Sequence, residues 1–459
     1  MYKTAIIIIT TLLLLCPIQP AFAQDEPDGP IYIIQPGDTL FEIANRFGVG
    51  INEIIMVNTL EDPNALAVGD QITIPGYEGI SGILEIRTSQ LGEDFSSITR
   101  TEHLSPSDLS RLNDLSSPTE VYAGRSLIVP SSDDKLRLIN DPGIGERPLI
   151  ASAANLKINP WTFLLNNHKD HSWQFSGDGF AYGNEQNPEV EASEKDRPFF
   201  ISVSPLPLVQ GKTITITVDQ ATLGDYSIKL DDQELRFFPS GNHWIARIGI
   251  PAMETPGLIS FDYSEMTPDN HQRTYSQMVL IEAANYINET VSGVQTLTID
   301  PKIIEEEDAI LETIISSIPD KLWDGPFNFP VDEPCVGSGF GNRRSYNDGA
   351  YLYYHTGLDF TICSANNLNI YAPAPGVVAF TGQLPIKGNF TVIDHGQGIM
   401  TGYAHQSEVM VNIGDRVETG QLIGVIGNTG RSVGPHLHWE VWVNGIYVDP
   451  YDWTQNDYE

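Results

Sequence analysis

Part of this chain is written twice, and that repeat dictates a modular fold. Shifted by 55 residues, Asn58-Thr59-Leu60 falls on Asn113-Asp114-Leu115, and VGDQITIP at 68–75 falls on AGRSLIVP at 123–130. Gly37 falls on Gly92, and Ile43 on Ile98. Self-similarity at a fixed offset is the signature of repeated supersecondary units. In the first unit Leu40, Ile43, Ala44 and Phe47 share one apolar helical face, with Asp38 or Thr39 placed to cap it. Each unit reads as a strand, two short amphipathic helices and a strand.

The first unit, 31–75, resembles the LysM module through QPGDTLFEIANRF, the central VN and the closing VGDQITIP. The second, 84–130, is a degenerate copy with GED where the first has GDT. A third stretch, 139–171, echoes only the helix pair in PLIASAANLKINPWTFLLNN. The resemblance implies small βααβ modules that bind N-acetylglucosamine-containing glycans, with the degenerate copies serving as spacers if they have lost the sugar.

Composition narrows the partners. Lys+Arg 25 against Asp+Glu 60 leaves a net charge of −35, which excludes binding to a nucleic-acid backbone. Residues 1–23 combine Lys3, an apolar run from Ala5 to Leu15 and a closing Ala21-Phe22-Ala23, the pattern of a cleaved signal peptide. The run is short of the ~20 residues of a membrane span. A secreted, envelope-associated protein with no stable membrane span is therefore expected. Cys335 and Cys363 would then be the remaining cysteines; in an oxidising compartment they can form a disulfide or stay as two small apolar side chains.

Residues 172–197 are rich in Gly, Asn, Glu and Ser and read as a linker. Runs such as TITITVDQ, YSIKLDD and HWIARIGI then alternate apolar and polar residues between turn signals. They predict an immunoglobulin-like β-sandwich over 198–300. The stretch 301–320 reads as a helical linker whose EEED run is a solvated face. His243 and His271 are lone imidazoles and are read as structural or exposed.

Of the ten histidines, half lie between residues 355 and 438. In the strand-like segment GPHLHWEVWV a period of two puts His436, His438 and Glu440 on one face and Leu437, Trp439 and Val441 on the other. In HTGLD, full extension would hold His355 and Asp359 ~13 Å apart, so Gly357 is read as the bend that lets both reach one ion. His355, Asp359 and His438 would leave one position open on a four-coordinate metal, as a hydrolytic zinc requires. His405 in GYAHQ and His436 are then free for proton transfer and oxyanion stabilisation.

The segment 321–455 resembles the M23 (LytM, lysostaphin-type) zinc peptidases. The motifs are GSGFGNRRSYNDG at 337–349, HTGLDF, YAPAPGVVAFTG at 371–382, GYAHQ and VGPHLHWEVWVNG at 433–445. The resemblance implies an antiparallel β domain, Zn2+ held by His355, Asp359 and His438, and His405 and His436 as catalytic residues. It also implies cleavage of peptide bonds in bacterial peptidoglycan. His395, in IDHGQG, is read as structural, Glu440 as an acceptor for a ligand histidine or a plain ion pair, and Tyr403 as lining the groove or packing. The competing reading is a noncatalytic M23-like wall-binding regulator of another hydrolase. The fold expected is multidomain and mainly β: LysM modules, a sandwich and a C-terminal peptidase domain.

Overall fold

The computed structural model describes residues 29–62, 66–77, 79–80, 82–131, 136–140, 148–155, 163–164, 180–184, 200–219, 226–266, 272–362 and 367–458. The leader 1–23, Cys363, His271 and much of 139–171 lie outside these residues. The chain divides into two compact units between Glu85 and Ile86.

In the first unit, the strands Ile31–Ile33 and Gln71–Thr73 pair antiparallel around the helices Leu40–Phe47 and Ile51–Val57. Thr39 is the cap, in a reciprocal box with Glu42, and Leu40, Ile43, Ala44 and Phe47 are buried. Asp38 instead holds Tyr32 (2.6 Å) and Arg46 (3.1 Å). The repeated Asn has a physical reason. Asn58 donates to Thr73 O (2.8 Å) and accepts from Thr73 N (2.7 Å), imitating a strand partner for the closing strand. Asn113 does the same for Ile128 (2.9 and 2.6 Å).

The second copy, with helices Phe95–Thr101 and Pro106–Leu112, keeps its cap despite the altered motif, because Asp94 accepts from Ser97 N at 2.6 Å. It is fastened to the sandwich: Ala123 N donates to Met278 O (3.0 Å), Leu280 N to Ala123 O (2.9 Å) and Gly92 N to Gln277 Oε1 (2.7 Å). The stretch 172–197 is not wholly a linker. Phe180–Asn184 pairs antiparallel with Leu136–Asn140, a short aromatic strand hidden by its polar flanks.

Two sheets form the sandwich. One holds Gln233–Glu234, Tyr226–Leu230, Gly257–Met266, Gln272–Glu282 and Leu208–Val209; the other holds Phe238–Ser240, His243–Gly249, Thr213–Asp219 and Phe200–Ser204. Their inner faces share a core that includes Ile214, Ile216, Phe261 and Val279. Asn288–Val291 leaves the sandwich and pairs parallel with Arg343–Tyr346. The end of the expected 198–300 region thus belongs with the C-terminal domain.

The helix Pro301–Leu311 corrects the solvated-face reading. Glu305 and Glu306 are exposed, but Glu307 is 2% exposed and accepts the backbone N–H groups of Ile386 (2.6 Å) and Lys387 (3.0 Å). Leu311, four residues on and so on the same helical face, packs with Phe390, Met400 and Trp442. The C-terminal sheet runs Val336–Ser338, Leu358–Thr361, His436–Val443, Ile399–Gln406, Gly388–Gly396, Gly376–Leu384 and Arg416–Val417, with Ile446–Val448 beside His436–Val443. Every pairing in it is antiparallel. The face carrying Leu437, Trp439 and Val441 is fully buried, which locks the register because a one-residue slip would turn His436, His438 and Glu440 into that apolar core.

Candidate metal centre and active site

Locked register places the chemistry. His438 stands directly across from Asp359 on one neighbouring strand and from Ala404 on the other. His355 precedes the Leu358–Thr361 strand, pinned by its N–H to Asn342 O and its C=O to Gly341 N, both at 2.8 Å. The chain bends at Gly357, as expected, and His355 Nε2 comes to 2.9 Å from Asp359 Oδ1. The Gly357 φ is not positive, but a Cβ there would lie 2.3 Å from Trp439 O and 2.9 Å from His438 Cε1. The glycine at the bend therefore also provides room.

The donor atoms converge. His355 Nε2, His438 Nδ1 and Asp359 Oδ1 are 2.8–2.9 Å from one another, and the three form a buried group able to hold a metal. Hydrogen bonding assigns the tautomers. His355 Nδ1 faces Gly339 O at 2.7 Å and His438 Nε2 faces Glu440 Oε1 at 3.0 Å, and each must donate there. That leaves a bare lone pair on the inward nitrogen of each ring, pointed at a carboxylate oxygen. Three such atoms repel one another unless a cation lies among them, so the donor set fits a metal. Borderline-soft imidazole with one carboxylate suits zinc.

Burial drives the His355 pKa down to about 4 although Asp359 opposes the shift, so the ring stays neutral, and able to ligate, at neutral pH. Asp359 is buried beside it. Its second oxygen receives Arg344 Nη2 at 2.7 Å. Arg344 in turn bonds Ser338 (2.8 Å) and Glu289 (3.2 Å), so the strand that left the sandwich buttresses the site.

His405 and His436 lie beside this group with ring centroids 4.7 Å apart. His405 Nδ1 donates to Thr429 O (2.7 Å) and His436 Nδ1 to Gly434 O (2.8 Å), which leaves both Nε2 atoms able to take a proton. Burial first, then His436 and His438, push the His405 pKa well down. His405 also has φ +64°, a left-handed conformation uncommon outside glycine and concentrated at functional sites. Its N–H bonds Lys387 O at 2.8 Å. Tyr351, Tyr353, Tyr354, Lys387 and Arg431 line the adjoining cleft with the Pro301–Leu311 helix.

His395 is fully buried in the core, with Nδ1 on Pro375 O (2.7 Å) and Nε2 on Thr401 Oγ1 (2.8 Å). Tyr403 packs in the same core and bonds Thr401 at 2.7 Å. His243 lies on a sandwich strand. Cys335 is disulfide-bonded. Arg344 and Thr356 lie within GSGFGNRRSYNDG and HTGLDF but are not singled out there, and Lys387 lies outside every motif quoted. The one signal is Lys387, a lone cation in the apolar turn LPIKGNF, where burial demands a partner.

Residues 353–450 match the model of peptidase family M23, and residues 32–75 and 90–130 match that of the LysM domain. The chain carries an M23 domain and two LysM domains. Peptidoglycan DD-endopeptidase ShyA of Vibrio cholerae is 41% identical over 122 residues, which are 26% of this chain and 28% of that protein. DD-carboxypeptidase/endopeptidase Mpg of Neisseria meningitidis is 42% identical over 129 residues, 28% of this chain and 29% of that protein. The matches thus span under a third of either relative. The lysostaphin catalytic domain of Staphylococcus simulans is 26% identical, with 29% of this chain and 90% of that one covered at a TM-score of 0.21. All five site residues lie inside the M23 match.

Proposed function

We propose that this protein is a secreted zinc metalloendopeptidase that hydrolyses peptide bonds of bacterial peptidoglycan and is brought to the wall by LysM modules. The observation that carries the reading is the convergence of three lone pairs, from His355, Asp359 and His438, beside two imidazoles with unblocked Nε2 atoms. A metal in that triangle would activate a water and polarise the scissile carbonyl. His405 and His436 would then serve as proton acceptor and donor, taking the proton of the attacking water and returning one to the leaving amine. Their Nδ1–H bonds to Thr429 O and Gly434 O fix which nitrogen faces the substrate. The names of the relatives and the LysM matches support peptidoglycan as substrate and an envelope location. Among the described residues no helix is long and apolar enough to cross a membrane. The intact set of five residues disfavours a noncatalytic regulator.

The test is incubation with purified wall, with the product masses recorded. His438→Ala should lose zinc, whereas His405→Ala should keep zinc and lose hydrolysis. Equal zinc loss in both would overturn the division of roles, and an unaltered wall would overturn the activity.

A further inference from the structure

We propose that Lys387, acting through Glu440, is a positioning residue for the metal ligand His438. This inference rests on the assignment of His355, Asp359 and His438 as the ligands.

Glu440 is 0% exposed, and its Oε1 gathers three donors: His438 Nε2–H (3.0 Å), the Thr356 hydroxyl (2.5 Å) and the Lys387 ammonium. Its Oε2 is buried with no hydrogen-bond partner among the described residues. An ionised carboxylate can only accept, so the His438 proton is confined to Nε2 and its lone pair to Nδ1, the atom aimed at Asp359 and His355. A buried carboxylate needs a countercharge. Lys387, only 8% exposed, provides it. Its Nζ also lies 5.6 Å from the Tyr447 ring and 5.9 Å from the Phe390 ring, which leave the ammonium little freedom to move.

The same residue touches the other half of the site. Its carbonyl accepts the His405 N–H (2.8 Å), and its own N–H donates to Glu307 (3.0 Å). One lysine therefore ties His438 through its side chain and His405 through its backbone. Only the side-chain link is removed by substitution, which makes it testable alone.

Zinc affinity is measured on the full chain by competition with a chromophoric chelator, and the metal-free melting temperature is read in parallel. Lys387→Met should weaken zinc by about 10- to 100-fold, the range for loss of a partner that orients a ligand. Lys387→Arg should restore affinity to within about threefold, since it returns the charge. Lys387→Met paired with Glu440→Gln removes both charges and should recover the melting temperature while zinc stays weak. Recovery of both together would assign the pair a purely structural role and overturn the proposal, as would Lys387→Met binding zinc within about twofold of wild type. Asp359→Ala is the control: if it binds zinc like wild type, the ligand assignment itself fails.

Discussion

At the scale of single residues, the site trades backbone comfort for placement. His405 is held at φ +64° by its N–H bond to Lys387 O and its ring bond to Thr429 O. Asn enters this region with less strain than most residues. His405→Asn should therefore melt no lower than wild type while hydrolysis falls by about 10²–10⁴-fold; a large fall in melting temperature would mean that the ring, not its chemistry, is what the fold requires. His395 makes a different prediction. Burial lowers its pKa to about 4, so between about pH 4 and pH 6.5 the unfolded chain binds the extra proton and stability rises with pH. That contribution is complete above pH 6.5 and is lost as the pH falls towards 4. His395→Gln should flatten this part of the profile of unfolding free energy against pH; an unchanged slope would mean that another group sets it.

Between elements, two close contacts decide whether the site assembles. Gly357 leaves no space for a methyl group against Trp439 O and His438 Cε1. Gly357→Ala should push the Leu358–Thr361 strand off its partner and weaken zinc binding even though every ligand is present. Equilibrium dialysis checks this, and unchanged affinity would show that the strand pair can yield. The Pro301–Leu311 helix is tied down by Glu307 through the N–H groups of Ile386 and Lys387. Glu307→Ala orphans both donors at roughly 1–3 kcal/mol each, and urea unfolding should show a loss of that order. Acidic composition alone makes this run face water; the helical period places one of its four acids inward, and only the position of the 386–387 turn reveals which.

For the whole molecule, the two LysM copies have different standing. The second is bonded through Ala123 and Gly92 to Met278, Leu280 and Gln277 of the sandwich, whereas the first lies in the separate unit that ends at Glu85. Removing residues 29–80 should leave cleavage of a short soluble peptide unchanged and slow digestion of insoluble wall by about 10- to 100-fold, since tethering raises the local concentration of bonds. Equal rates on wall would end the targeting role. Extending the deletion through residue 130 should lower the melting temperature as well, because the sandwich strand Gln272–Glu282 loses its two backbone hydrogen bonds to Ala123.

What the sequence determined by itself was whatever is local or periodic: the repeat, the capped apolar helix faces, and the alternation that sets His436, His438 and Glu440 opposite Leu437, Trp439 and Val441. Those features arise from the 3.6- and 2-residue periods, which need no knowledge of neighbours. The M23 motifs added the five histidine and aspartate positions through resemblance. Only the tertiary structure decided which atoms meet: Asp359 across from His438, Arg344 on the second oxygen of Asp359, Lys387 on Glu440, and Asn288–Val291 beside Arg343–Tyr346. Such contacts join residues that are mostly tens of positions apart in the chain, and their register is fixed by packing of the buried face, a property of the assembled sheet rather than of any one segment.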